Sequence, residues 1–236
     1  MGKQHIERKS SFAAAFRAAF PYSMPVLAGF MVLGIAYGIL MADKGYGFPW
    51  AVLMSAVCFC GSMQFVAITL LTTAFDPLAA LLLSFMVNAR HLFYGLSLMD
   101  RYRGQGALRF PLIYLLCDET FSINCSVEPP EQVDKGYFYL SISLLHYGYW
   151  VTATLIGSLL GSLLTFDTTG MDFALTALFV VLFIEQIRPK ENRLSGFIGL
   201  ACTVLALVLF GADNLVVPAM AMILLVLVVG RKRLCT

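Results

Sequence analysis

The chain has few charged residues. Asp, Glu, Lys and Arg make up 13% of its 236 residues and hydrophobic residues 59%, whereas soluble domains carry about 25% charged residues. No long polar stretch follows residue 20, which leaves no room for a separate soluble domain. We therefore expect residues 1–236 to form a single integral membrane domain, with residues 1–20 as a cytoplasmic or interfacial segment.

Motifs of known catalytic chemistry are also missing. The sequence has no phosphate-binding loop, no G-x-G-x-x-G and no H-E-x-x-H, which argues against ATP use, dinucleotide binding and zinc hydrolysis. Ser62 and the distant His146 suggest an intramembrane protease, but G-S-M-Q lacks the second glycine expected around such a nucleophile. We expect a protein that is not an enzyme and has no cofactor or metal.

Cysteine is present without a disulfide framework. The cysteines form neither a C-x-x-C pair nor a regular spacing, and most lie in apolar runs, where Cys behaves as a small hydrophobe. We expect no disulfides. The cysteines are Cys58, Cys60, Cys117, Cys125, Cys202 and Cys235.

Long apolar runs are what the chain has in abundance. A helix needs about 20 apolar residues to cross a bilayer, and turn signals such as Asp76-Pro77 separate the runs. The sequence predicts an all-α polytopic membrane protein with seven or eight transmembrane segments, of which the fourth either crosses or is re-entrant. The predicted segments are 21–42, 50–74, 77–99, 110–127, 137–164, 171–187, 195–211 and 214–230.

Two features at the membrane surface stay open. Phe12, Phe16 and Phe20 share a helical stripe before the first segment, which indicates either a short interfacial helix or an extension of that segment. Lys and Arg favour the cytoplasmic side. Their tally is the same for an internal N-terminus with a crossing fourth segment and for an external N-terminus with a re-entrant one.

A faint internal repeat links the two parts of the chain. Gly34-x-x-x-Gly38 in segment 1 recurs as Gly157-x-x-x-Gly161 in segment 5. Residues 50–64 then align with 172–186 at nearly the same offset. Small residues four apart let helices approach closely in lipid, so packing explains each motif by itself. Their order also suggests duplicated halves, which are typical of secondary transporters.

Charged and polar residues inside the apolar runs are the candidates for function. A charge at membrane depth costs roughly 2.5–3.5 kcal/mol on insertion scales, so it needs a partner or a task. Arg90 lies in segment 3 and offers a donor fork suited to a carboxylate, either of the protein or of a substrate. The adjacent Asp118 and Glu119 in segment 4 point about 100° apart on a helix, so one of them is free to face Arg90 while the other faces a cavity.

Other polar positions have weaker signals. Gly61-Ser62 in mid-helix marks a place where segment 2 either unwinds and frees backbone groups for a ligand, or merely kinks. Glu185-Gln186 lies near Arg188 and is better explained as an interfacial pair. His146 is better explained by packing or by an aromatic belt.

Four strings occur in a fixed order along the chain. They are P-x-x-x-G-F-x-x-x-G-x-A-Y-G-x-L from Pro25, G-S-M-Q-F from Gly61, N-A-R-H-x-x-Y-G from Asn88 and D-E-T-F from Asp118. Together they resemble the AzlC family of branched-chain amino acid exporters, from about Pro21 to Gly230. The resemblance implies a multi-pass exporter of neutral branched-chain amino acids in the bacterial inner membrane, working with a small AzlD-type membrane subunit.

A zwitterionic amino acid needs a donor for its carboxylate, an acceptor for its ammonium group and an apolar pocket. We predict that one set of residues binds the substrate and a second set provides an ion pair or proton coupling. A passive channel for small zwitterions and a non-transporting assembly partner remain alternatives. The first set is Gly61, Ser62, Gln64, Phe65, Asn88, Arg90 and Tyr94; the second is His91, Asp118 and Glu119.

Overall fold

The computed structural model describes residues 11–74, 76–163, 193–211 and 215–234, together with positions 173, 176, 177, 180, 183, 184, 187, 188 and 190. Every regular element in these residues is a helix, which confirms the all-α class for the described part of the chain. The helices are α1 (Phe12–Asp43), α2 (Phe48–Cys58), α3 (Gly61–Thr72), α4 (Pro77–Asn88), α5 (Arg90–Leu98), α6 (Arg109–Tyr114), α7 (Asp118–Ser126), α8 (Lys135–Leu163), α9 (Arg193–Phe210) and α10 (Val216–Leu234).

Helix α1 is longer than the predicted segment 21–42. It begins at Phe12 and continues to Asp43, with Pro21 and Pro25 inside it. The phenylalanine stripe before residue 21 is therefore an extension of the first segment, and a separate interfacial helix is not formed.

Three predicted segments are each broken into two helices. Segment 50–74 is interrupted between α2 and α3, where Phe59 has a left-handed backbone with φ of 37°. Segment 77–99 is interrupted at Ala89, and segment 110–127 between Leu115 and Cys117. The unwinding expected at Gly61-Ser62 falls just before it, and Gly61 is the first residue of the new helix.

The long helices α1 and α8 pack against each other through their glycines. A methyl group on Gly38 would overlap the backbone of α8 at Thr154 and Ser158, and one on Gly157 would overlap the backbone of α1 at Ile35. Such close approach is the ordinary reason for small residues four apart. The packing explanation of both G-x-x-x-G motifs is confirmed. The duplication of halves stays a prediction, because most of 172–186 lies outside the described residues.

Three helical stretches of the described residues are long and apolar enough to cross a membrane by length and composition. They are Phe12–Asp43, Ala80–Leu98 and Arg193–Phe210. Helices α2 and α3 are apolar but shorter. The total of seven or eight crossings stays a prediction, and the sixth segment, with Glu185-Gln186, lies mostly outside the described residues.

The chain divides into two compact units at residues 174 and 175. In the second unit α9 and α10 pack on each other. In the first unit a buried cluster that includes Leu98, Leu112, Phe138 and Ile142 joins the ends of α5 and α6 to α8. The single domain expected from the sequence stays a prediction.

We expect Gly157→Leu to lower the thermal unfolding temperature of the purified protein, because the added side chain would force α1 away from α8. Overpacking of this kind costs about 1–3 kcal/mol. Gly148→Leu is the matched control on the same helix, since a methyl group there meets nothing within 4 Å. Equal unfolding temperatures for the two variants would contradict a stabilising role for this contact.

Candidate functional site

Arg90 connects α5 with the starts of α3 and α7. It is the first residue of α5, and its Nη1 lies 2.7 Å from Oδ2 of Asp118, the first residue of α7. Its Nη2 donates a hydrogen bond of 2.6 Å to Oγ of Ser62, the second residue of α3. We call Arg90, Asp118 and Ser62 the Arg90 junction.

The junction follows from the electrostatics of helix ends. The first N–H groups of a helix lack intrahelical partners, so this end carries a partial positive charge that favours anions. Asp118 and Glu119 in the first turn of α7 fit this rule. Arg90 lies in the middle of a helical stretch, since Ala89 keeps helical φ and ψ of −53° and −35° between α4 and α5. The carboxylate of Asp118 compensates the charge of Arg90 there.

Asn88 and His91 extend the junction to the end of α4. The thiol of Cys60 donates a hydrogen bond of 2.7 Å to Oδ1 of Asn88, which ties the break before α3 to the break before α5. Nδ1 of His91 lies 3.3 Å from the backbone oxygen of Asn88. The structure therefore places these two predicted site residues next to Arg90.

Tyr94 forms a second contact between α5 and α7. Its ring stacks on Phe121 with centroids 4.2 Å apart and planes 15° from parallel. Tyr94 is four residues after Arg90 and Phe121 three after Asp118, so the stacked rings lie one turn beyond the ion pair on the same helix faces. The ion pair and the rings together fix α5 against α7.

Two polar atoms of the ion pair have no hydrogen-bond partner among the described residues. They are Nε of Arg90 and Oδ1 of Asp118, and both atoms are buried. The side chains as a whole keep 25% and 20% of their surface exposed. Buried polar groups in proteins are nearly always hydrogen-bonded, so a free donor beside a free acceptor marks a place suited to a polar ligand.

Glu119 does not form an ion pair with Arg90 in the described structure. Its side chain lies beside Cys117, and it makes no ion pair within 4 Å in the described part of the chain. Of the two adjacent acids, Asp118 therefore pairs with the arginine and Glu119 does not.

Gln64 and Phe65 lie outside the junction. Gln64 is fully buried; its Oε1 accepts a bond of 2.8 Å from Nε1 of Trp150, and its Nε2 donates one of 2.8 Å to Oγ of Ser55. Phe65 is buried with its ring edge against Tyr37, centroids 5.6 Å apart. These contacts hold α1, α2, α3 and α8 together, so neither side chain borders Arg90.

Gly61 lies close to the same tryptophan. A methyl group on it would come within 3.1 Å of the indole ring of Trp150. Glycine at this position lets α3 start against the face of the ring, and the start of α3 in turn places Ser62 beside Arg90.

Helix α8 supplies two polar residues that the sequence analysis did not single out, Trp150 and Thr154, and it also carries His146, which was expected to serve packing. His146 is fully buried, and its Nδ1 lies 2.8 Å from Oγ1 of Thr120, which in turn is 3.1 Å from Sγ of Cys117. Thr154 bonds to Ser55 at 2.9 Å. His146, Trp150 and Thr154 are four residues apart and so form one stripe of a helix. That spacing is the sequence signal that identifies a polar face on α8.

Tyrosine hydroxyls cap the end of α2. Tyr114, the last residue of α6, donates to the backbone oxygens of Ala56 and Val57 at 2.9 and 2.7 Å. Tyr147 donates to Ala56 at 3.1 Å. Carbonyls in the last turn of a helix have no intrahelical partner, so these hydroxyls stabilise the break after Cys58.

We expect Tyr114→Phe to lower the free energy of unfolding by about 1 kcal/mol, because one helix-end carbonyl loses its donor. The measurement is the thermal unfolding temperature in detergent. Tyr22→Phe is the control, since the Tyr22 ring packs on Phe138 at 5.7 Å and its hydroxyl is at an exposed position. An unfolding temperature unchanged in both variants would rule out a capping role for Tyr114.

Helices interrupted around an internal ion pair are a feature of membrane transporters, whose binding sites use the ends of broken helices. The family model of the AzlC protein matches residues 25–164, which include the whole Arg90 junction. The chain belongs to the AzlC family, and the resemblance noted in the sequence is confirmed.

The relatives are membrane proteins of bacteria and archaea. The chain is 49% identical over 230 residues to the branched-chain amino acid transport protein AzlC of Bacillus subtilis, covering 98% of this chain and 91% of that one. It is 39% identical over 224 residues to a membrane protein of Helicobacter pylori strain J99, covering 94% and 98%. It is 24% identical over 188 residues to the inner membrane protein YgaZ of Escherichia coli, covering 76% of each. No solved structure matches the chain.

Proposed function

We propose that this protein exports neutral branched-chain amino acids across the bacterial inner membrane. The observation that carries the proposal is the Arg90 junction, an ion pair formed where the interrupted helices α3 and α7 begin. The name of the Bacillus subtilis relative supports the substrate class, and the name of the Escherichia coli relative supports the inner membrane as the location.

The junction offers the groups that an amino acid requires. Arg90 and the N–H groups at the start of α3, near Gly61 and Ser62, suit the substrate carboxylate. Asp118 suits the ammonium group. The stacked rings of Tyr94 and Phe121 provide an apolar surface one turn away, against which a branched side chain can pack.

The remaining predicted residues act around this core of the site. Asn88 holds the Cys60 break beside Arg90. Gln64 and Phe65 support the site through Trp150 and Tyr37 rather than through direct contact with substrate.

Export against a gradient draws on the proton gradient in this proposal. His91, Asp118 and Glu119 are the titratable groups of the site. Glu119 is the strongest candidate for taking up and releasing the proton, because it makes no ion pair in the described part of the chain, whereas Asp118 is held by Arg90. A small AzlD-type membrane subunit completes the exporter.

The test is efflux from proteoliposomes. We expect vesicles loaded with labelled valine or leucine to lose label faster than protein-free vesicles, and the rate to depend on internal pH. Alanine tests side-chain selectivity and methionine tests tolerance of an unbranched chain. Each measurement is made with the chain alone and with its small subunit, so that a requirement for the subunit is seen directly. Efflux no faster than from protein-free vesicles in both preparations would rule out the proposal.

Arg90→Lys tests the guanidinium rather than its charge. Lysine keeps the positive charge but cannot bond Asp118 and Ser62 at once with a planar fork. Loss of a charged hydrogen bond costs about 1.5–3 kcal/mol, so we expect leucine efflux to fall roughly 10- to 100-fold. Arg103→Lys is the control at an exposed position. Unchanged efflux in Arg90→Lys would show that a point charge suffices.

A further inference from the structure

The ion pair of Arg90 and Asp118 restricts the charge of any ligand bound beside it. Both partners are largely buried, and their charges balance at a distance of 2.7 Å. Burying a charge without a partner is strongly unfavourable. A ligand that competes for one partner must therefore provide the opposite charge for the other.

The unpartnered atoms of the pair show how one ligand can do both. Nε of Arg90 is a free donor, and Oδ1 of Asp118 is a free acceptor. The Nη1 to Oδ2 contact joins their parent groups, so the two free atoms belong to the same ion pair. A carboxylate and an ammonium group on one carbon atom match this donor and acceptor together.

We propose that Asp118 is the residue that makes this site specific for zwitterions, and that removing its charge switches the preference to monoanions. This inference rests on the proposed function and concerns the same site. A 2-oxo acid of the same carbon skeleton would engage Arg90 but leave Asp118 uncompensated. An alkylamine would engage Asp118 but leave Arg90 uncompensated.

Asp118→Asn changes this balance in a defined way. The variant keeps Ser62 and the guanidinium, but the positive charge of Arg90 has no carboxylate opposite it. A monoanionic carboxylate then supplies the missing charge by itself, while the ammonium group of an amino acid loses its acceptor. The affinity for the amine does not increase, because the amine also loses its acceptor. The reverse variant, Arg90→Gln, leaves the negative charge of Asp118 without a partner. We therefore expect it to bind the amine in preference to the 2-oxo acid.

Glu119, His91, Tyr94 and Cys60 are titratable groups near the pair. Glu119 is directed toward Cys117 and His91 toward the backbone of Asn88. Neither bonds to the guanidinium. Glu131→Gln is the matched control, because it removes a carboxylate at an exposed position before α8. Glu119→Gln is compared with Asp118→Asn to show which of the two adjacent acids sets the preference.

The experiment measures binding to the purified full-length protein by isothermal titration calorimetry. The probes are leucine, 4-methyl-2-oxopentanoate and 3-methylbutylamine, which share a side chain and differ in charged groups. For the unmodified protein we expect leucine to bind at least about 100-fold tighter than either analogue, as for sites that leave a buried polar group unpaired with the wrong ligand. For Asp118→Asn we expect the 2-oxo acid to bind at least as tightly as leucine. For the control Glu131→Gln we expect the original order.

Each outcome has a distinct meaning. Equal affinity of the unmodified protein for leucine and the 2-oxo acid overturns the inference and leaves amino acid export standing. Binding of none of the three probes, with or without the small subunit, contradicts the proposed function itself. A switch of preference in Glu119→Gln in place of Asp118→Asn would overturn the assignment of Asp118. If Asp118→Asn does not fold, the ligand order of the unmodified protein and of Arg90→Gln still decides the question.

Discussion

The guanidinium of Arg90 and the interrupted helices depend on each other. A buried positive charge needs an opposite charge and hydrogen-bond acceptors. Arg90 finds the charge in Asp118 and a second acceptor in Ser62, at the starts of two other helices. Those helices start where they do because segments 50–74 and 110–127 are broken at that point. Without the breaks no helix starts would face the arginine, and without the arginine the first-turn acid of α7 would lose its partner. The site and the irregular backbone form one structural unit.

An unbroken helix holds this unit together. Helix α8 provides a hydrogen-bonding side chain to each of three neighbours: His146 to α7, Trp150 to α3 and Thr154 to α2. Its glycine face lies directly against α1. Short half-helices have few backbone bonds of their own, so their positions are set by these contacts with a long straight neighbour. These contacts explain why α8 carries fully buried polar side chains outside the Arg90 junction.

The sequence predicted which residues carry the chemistry of the site better than it predicted how they are arranged. The cost of a charge in an apolar run singled out Arg90, Asp118 and Glu119, and the structure pairs the first two. Which acid takes part depends on where α7 starts. The pair Asp118-Glu119 fits a first helical turn, but the sequence does not show which of the two side chains meets Arg90. Gly61 did indicate an irregularity, but the turn itself falls on Phe59. Contacts such as His146 with Thr120 join residues 26 positions apart, and one sequence without a fold gives no means of pairing them.

The backbone of Phe59 is strained, and contacts of its side chain offset the strain. Its left-handed backbone is about 1–2 kcal/mol unfavourable for a side chain with a Cβ atom, and glycine would remove that penalty. The phenyl ring, however, lies edge-on to Tyr147, centroids 5.2 Å apart, and Tyr147 also caps α2. The backbone strain at Phe59 is therefore offset by its aromatic contact with Tyr147. Loss of this contact would leave the backbone strain at Phe59 without compensation and weaken the junction between α2 and α3.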